Sequence, residues 1–268
     1  MFDFHIHTHH SFDGSHPTKE IVEQAVKMGL THICLTDHVD YDYDGAGSEF
    51  SFSYQAFFDE ITRIRQDYKF QIQVLAGVEF GLQPHLVDRY RDDVEQWPFD
   101  YIIGSLHSAK KTDVYTGPYF QERDQLQAYL DYYDDILQVV RNEAPFNVLG
   151  HYDMIKRYGS YEAPLPLESY QEITVTIFNE LIAQGKGIEV NTSGFRYQLG
   201  DAHPSRDLLA LYRQCGGEIV VLGSDAHQIS EVGYRLKEMV QVLHSLNYKY
   251  VTTFRNQQPT FHAIEKLL

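Results

Sequence analysis

The chain has 268 residues, 43% hydrophobic and 22% charged, which suits one large α/β domain or at most two small ones and excludes a disordered chain. Acidic residues outnumber basic ones, 38 to 22, for a formal net charge of −16; such a surface repels the phosphates of long nucleic acids. No run reaches the roughly 18 apolar residues of a membrane span, so neither a long nucleic acid nor a membrane is an expected partner.

The N-terminal run MFDFHIHTHH has no cationic stretch leading into a long apolar one, so no secretory signal is expected. Short apolar runs then alternate with longer amphipathic ones. Strands are expected at 2–6, 31–36, 72–79, 99–105, 146–150, 187–192 and 218–224, with a late candidate at 248–253. Helices are expected at 17–28, 54–68, 84–96, 122–143, 168–185, 204–215 and 229–246. Pro17 suits a first helical turn, and Gly29, Gly185 and Gly216 stand where helices should stop. Cys34, inside an apolar run, reads as a buried thiol. With Cys215 as the only other cysteine, a cytoplasmic location is expected. There is no repeat, low-complexity segment or linker, so residues 1–268 are expected to form a single domain.

Seven or eight β-then-α units fit either a barrel or an open doubly wound sheet. The polar residues favour the barrel. Thr36-Asp37-His38, Glu79, His107, His151, Asn191-Thr192 and Asp225 with His227 all follow apolar strand candidates. Strand ends converge on one face of a closed barrel, whereas they spread along a row in an open sheet. His5 and His7 flank Ile6, and alternation along a strand points both imidazoles the same way.

Each of these residues alone reads as a satisfied polar group at a strand end; together they read as a metal site. Imidazole with carboxylate and no thiolate suits Zn, Mn or Fe. Six histidines with Glu79 and Asp225 exceed the needs of one four-coordinate ion, so several ions are expected, with Glu79 able to bridge two. His32, His85, His203, His244 and His262 read as solvated or locally bonded, while His9, His10 and His16 stay ambiguous. Tyr132-Tyr133 and Tyr41/Tyr43 read as packing residues. Segments 40–53 and 108–121 follow proposed ligands and are expected to rim the pocket.

The runs HIHTHHSFDG, LTDH, GVEFG, GSLHS, LGHYD and LGSDAH, spread over residues 5–227, resemble the successive motifs of the polymerase and histidinol phosphatase (PHP) superfamily, in that order. EVNTSGFR at 189–196, followed by LGSDAH, resembles the histidinol-phosphatase branch, and the length resembles its stand-alone enzymes. The resemblance implies a distorted (β/α)7 TIM-like barrel carrying three divalent metal ions (Zn, Mn or Fe) at the C-terminal ends of the strands. It implies that His5, His7, Glu79 and Asp225 hold the first ion, and Glu79, His107 and His151 the second. His38 and His227 would hold the third with Asp13, for which His9 or His10 is the alternative.

The activity implied is hydrolysis of the small-molecule ester L-histidinol phosphate to L-histidinol and phosphate, late in histidine biosynthesis. Water activated by metal would attack phosphorus in line with the leaving alkoxide. Three ions would also reverse the acidic field locally. Arg196 is the first choice for contacting phosphate and Arg157 the second; a surface arginine paired with a carboxylate is the plain alternative for each. Asp225 or His227 would protonate the leaving group. Competing readings are a related phosphoesterase acting on phosphotyrosine or a nucleotide, a non-catalytic metal-binding module, and another metal hydrolase on the same barrel, such as an amidase.

Overall fold

Seven short apolar runs form the strands β1 (Phe2–Ile6), β2 (His32–Leu35), β3 (Gln73–Gly81), β4 (Tyr101–Ser105), β5 (Val148–Leu149), β6 (Gly187–Asn191) and β7 (Val220–Gly223). The computed structural model describes residues 1–115, 117–121 and 123–268. The strands are buried almost throughout, as parallel strands covered on both faces must be. They pair in chain order, all in parallel. The first and last meet just past β7: Ile6 bridges Ala226, His7 N–H donates to the Ala226 carbonyl at 2.9 Å, and Asp225 N–H donates to the His5 carbonyl at 2.8 Å. The result is a nearly closed, distorted barrel.

A helix follows each strand: α1 (Thr18–Lys27), α2 (Tyr54–Tyr68), α3 (Val87–Gln96), α4 (Gln125–Arg141), α5 (Gln171–Ala183), α6 (Arg206–Gln214) and α7 (Leu236–Ser245). Each lays an apolar stripe on the sheet. In α2 the buried residues Phe57, Ile61 and Ile64 recur at helical spacing. The Ser53 hydroxyl caps its first turn by accepting from Ala56 N–H at 3.3 Å.

Besides short turns at helix starts and small elements in the loops, two larger features depart from the expected pattern. The stretch expected as one helix at 229–246 is a 3-10 turn, Ile229–Glu231, and then α7. Gly233 (φ 73°) and Arg235 (φ 52°) break the run between them. The late strand candidate is no eighth barrel strand. Tyr250–Arg255 pairs antiparallel with Gln258–Ala263, turning at Asn256 and Gln257, both at positive φ. This hairpin sits at the N-terminal end of the barrel: Asn256 N–H donates to Asp100 Oδ1 at 3.1 Å, and the Phe254 ring stacks on Tyr101 at 5.5 Å.

One irregularity serves the site. β3 is long enough to pair twice, its lower half with β2 and its upper half with the short strand His38–Asp40. His38 is thereby set directly across from Glu79. Among the described residues no helix is long and apolar enough to cross a membrane.

Candidate metal centre

His5 and His7, two apart on and just beyond β1, are both buried. Glu79 on β3 is fully buried, and ring nitrogens of five histidines surround its carboxylate: His5 Nε2 at 3.1 Å, His7 Nε2 at 3.5 Å, His38 Nδ1 at 3.1 Å, His107 Nε2 at 3.4 Å and His151 Nε2 at 2.9 Å. Asp225 Oδ1 lies 3.4 Å from His7 Nε2, 3.8 Å from His5 Nε2 and 3.5 Å from His227 Nδ1. Asp13 Oδ2 lies 3.0 Å from His227 Nε2 and 3.5 Å from His38 Nε2. The barrel thus brings all nine residues expected as ligands into one cluster. Three groupings within it could each hold an ion: His5, His7 and Asp225; His38, Glu79 and His107; and His7, Asp13, His38 and His227. His7 and His38 belong to two groupings each, which the sequence did not suggest.

The donor chemistry fits cations. His7 Nε2 and His38 Nδ1 are buried and lack a hydrogen-bond partner, although carboxylate oxygens stand 3.1–3.5 Å away. A buried polar atom without a partner is costly; a lone pair directed at a shared cation is not. Burial alone would raise Glu79, yet the imidazoles of His5, His38 and His107 hold it well below the usual carboxylate range. Asp225 is held down likewise by His5, His7 and His227, against its burial. For His107 burial works downward, but the Asp40 and Glu79 carboxylates prevail and raise it to about 10. His7 goes the other way. Burial, with His227 and His38 beside it, pushes it down to about 3, leaving its lone pair free.

A second layer of polar groups aims these side chains. Asp40 Oδ1 takes His107 Nδ1 at 2.6 Å, Ser11 Oγ meets His7 Nδ1 at 3.1 Å, and Ser105 Oγ donates to Glu79 Oε1 at 2.6 Å. Glu189, fully buried on β6, takes His5 Nδ1 at 2.6 Å on one oxygen and His151 N–H at 2.8 Å on the other. Asn191 Nδ2 donates to Glu189 Oε2 at 3.1 Å and to Asp225 Oδ2 at 3.3 Å. Sequence reasoning missed Glu189 and Asp40. The available signal was a carboxylate between Ile188 and Val190, inside an apolar strand and two before Asn191. Close approach also needs glycine. A Cβ at Gly223 would fall 2.2 Å from Glu189 Oε1, and one at Gly81 would fall 1.9 Å from Asp40 Oδ1.

Removing such an orienting partner typically costs 10–100-fold in metal affinity or activity. Glu189→Gln, which keeps the shape but not the charge, should therefore weaken zinc binding by roughly 10–100-fold while the far-ultraviolet circular dichroism is unchanged. A competitive zinc titration measures it, and an unchanged affinity would remove Glu189 from the site.

The two arginines differ sharply. Arg196 is committed: Nη1 donates to the Ser224 carbonyl at 2.7 Å, Nη2 to the Asp225 carbonyl at 2.6 Å, and Nε lies 3.2 Å from Glu231 Oε1. It clamps the turn in which Asp225 adopts φ 57°. Arg157, in the 3-10 turn Met154–Arg157 after His151, has no carboxylate partner among the described residues. Its guanidinium packs over the Tyr197 ring at 3.3 Å, next to Arg196, and its Nε is buried without a partner.

Other expectations resolve individually. His9 and His10 turn away from Asp13 toward Glu60. His203, expected as solvated or locally bonded, is fully buried, with Nδ1 2.7 Å from Asp153 Oδ1. His85, His262 and His32 are locally bonded, to Asp42, Thr253 and Thr31. Tyr132 and Tyr133 are buried packing residues. The segments expected as rim touch each other, Ser108 Oγ donating to the Tyr43 carbonyl at 2.5 Å. Phe50 stacks on Phe12 at 4.0 Å, and Phe12 lies 5.5 Å from the His38 ring, which sets an aromatic wall beside the cluster. Within 108–121, Thr116 lies outside the described residues.

Comparison with known proteins agrees with this geometry. The chain is 30% identical to the histidinol-phosphatase of Lactococcus lactis subsp. lactis (strain IL1403), over 84% of this chain and 83% of that protein. It is 22% identical to the histidinol-phosphatase of Bacillus subtilis (strain 168), over 89% of this chain and 98% of that one. A crystal structure of histidinol phosphate phosphatase from Lactococcus lactis subsp. lactis Il1403, complexed with Zn, L-histidinol and phosphate, superposes with a TM-score of 0.89 at 26% identity, covering 97% of this chain and 98% of that one. The model of the PHP domain matches residues 3–193. With the strand-end motifs now gathered around Glu79, that match makes this chain a member of the PHP domain family, in its histidinol-phosphatase branch.

Proposed function

We propose that the chain is a histidinol-phosphatase, a metal-dependent phosphomonoesterase that hydrolyses L-histidinol phosphate to L-histidinol and phosphate. The observation that carries this reading is the likeness, over nearly the whole chain, to a protein complexed with zinc, L-histidinol and phosphate. The cluster around Glu79 holds divalent metal. We assign three ions, with His5, His7, Glu79 and Asp225 at the first, Glu79, His107 and His151 at the second, and Asp13, His38 and His227 at the third. The placement of Asp13 beside His38 and His227 supports it over His9 and His10 as a ligand. Zinc is the first choice, with Mn or Fe able to serve the same ligands. Such ions supply Lewis-acid charge to the phosphoryl oxygens and make water nucleophilic near neutral pH.

The chain's own residues do the rest. Arg157, with no carboxylate partner among the described residues, takes the phosphate ahead of Arg196, which instead holds the Asp225 turn in place. The Asp225–His227 pair, 3.5 Å apart, positions a water that delivers the proton to the leaving alkoxide. The aromatic wall of Phe12 and Phe50 offers a stacking surface for the substrate's imidazole. Residues 1–268 act as one domain of this type, placed in the cytoplasm.

A hydrogen bond to a charged group is worth about 1.5–3 kcal/mol. Arg157→Ala should accordingly lower kcat/KM by roughly 10–100-fold and weaken inhibition by free phosphate in proportion. Steady-state kinetics with and without phosphate reads both; a variant with normal phosphate inhibition would return the role to Arg196. The overall proposal is tested by comparing L-histidinol phosphate with a phosphotyrosine peptide, nucleoside monophosphates and a plain aryl phosphate. It fails if L-histidinol phosphate is turned over no faster than the aryl ester.

A further inference from the structure

Among the described residues, one more group of metal-ligating side chains stands apart from Glu79, Asp225 and Asp13: His9, His10 and Glu60. We propose that these three side chains form a separate site for a single zinc-type transition-metal ion, between the loop that follows β1 and helix α2.

Glu60 Oε2 lies 2.7 Å from His10 Nε2 and 3.6 Å from His9 Nε2. The two imidazoles meet with ring centroids 4.3 Å apart. Zinc bonds its nitrogen and oxygen ligands at about 2.0–2.2 Å, so tetrahedral ligand atoms sit roughly 3.3–3.6 Å from one another. The His9–Glu60 separation is already of that size, and the His10–Glu60 pair opens to it by a small side-chain rotation.

The site is held in shape from behind. The His10 ring stands edge-on to Phe57 at 5.5 Å and lies 5.9 Å from Phe52, and its backbone N–H donates to Thr8 Oγ1 at 3.1 Å. His9 N–H donates to the His16 carbonyl at 3.0 Å. Glu60 projects from α2, one turn after Phe57, and no lysine or arginine pairs with it among the described residues. A net charge of −16 adds to the pull on any cation.

Two imidazoles and one carboxylate favour zinc and its neighbours over magnesium or calcium, which prefer all-oxygen shells. Three protein ligands leave one position to water, the arrangement of an open and exchangeable zinc site. His10 precedes Asp13 by three residues, so an ion here ties α2 to the loop that carries Asp13 to His38 and His227.

The experiment uses the full chain with its central ions already loaded, dialysed against buffered zinc, with metal analysis and thermal melting as readouts. Wild type should take up one zinc equivalent more than Glu60→Gln or His9→Ala. Each substitution should weaken that uptake at least about tenfold, because lost second-layer partners alone cost that much. Zinc should raise the Tm of wild type and not of the variants, since an ion bound only to the folded state stabilises it. At low zinc, Glu60→Gln should keep its central metal content and its hydrolysis of L-histidinol phosphate, so the outcome is read independently of the proposed activity. Equal zinc uptake and equal melting shifts in all three proteins would overturn the proposal and leave Glu60 as a hydrogen-bond partner of His10. Loss of central metal in Glu60→Gln would overturn it too, by showing that the site is not separate.

Discussion

Glu79→Gln is expected to abolish hydrolysis of L-histidinol phosphate for practical purposes, with kcat down roughly 10³-fold, equivalent to about 4 kcal/mol of barrier. The amide has the size of the carboxylate and keeps an oxygen acceptor for Ser105 Oγ, which now donates at 2.6 Å. It loses the negative charge around which five imidazoles gather. A neutral group cannot balance two cations at once, so metal content should fall together with rate. The wild-type protein should carry roughly two to three equivalents at this cluster, apart from any zinc held by His9, His10 and Glu60, as nine candidate ligands divided among four-coordinate ions require. Elemental analysis of the purified proteins, paired with kinetics, checks both numbers. A variant that kept its full metal load and more than a tenth of wild-type kcat would show that Glu79 is not shared between ions.

Chelation should be the second large effect. Stripping the metal should eliminate activity and lower Tm by on the order of 10 °C, since ions held at about 1,000 times their Kd contribute about 4 kcal/mol and each kcal/mol shifts a chain near this size by about 2–4 °C. The physical cause lies in the carboxylates and imidazoles, which in the stripped protein must satisfy one another, the innermost of them, His5, His7 and Glu79, out of reach of water. Zinc, manganese or iron added back should restore both readouts, and the metal giving the highest kcat identifies the best fit. Differential scanning fluorimetry before and after chelation gives the stability half of the prediction. An unchanged Tm would mean that the cluster contributes nothing to holding β1, β3 and β7 together.

These expectations rest on two kinds of information. His5 and His7 were legible because alternation on a strand is local, and both do face the cluster. Glu79, His107 and His151 were legible because each follows an apolar run, and strand ends converge once a parallel barrel closes. Asp40 and Glu189 were not, because a carboxylate beside a strand reads the same whether it faces solvent or a neighbouring imidazole. Only the pairing of His38–Asp40 with β3, and the reach of Glu189 from β6 past Gly223 of β7 to β1, makes them partners of His107 and His5. The same holds for the arginines. Both follow strands that line the site, yet the turn at Ser224-Asp225 offers two carbonyls to Arg196 and leaves Arg157 without a carboxylate partner among the described residues.

The C-terminal hairpin and the break before α7 were hidden for a related reason. A second strand with polar residues, Gln258–Ala263, has no apolar period of its own and exists because Tyr250–Arg255 pairs with it. By itself the sequence determined which residue types stand at which strand ends, and so the chemistry of the site, since periodicity and ligand identity are carried by a few consecutive residues. The tertiary structure decided which of those residues touch, because contact between β1, β3, β6 and β7 depends on register and closure, which no single stretch of chain contains.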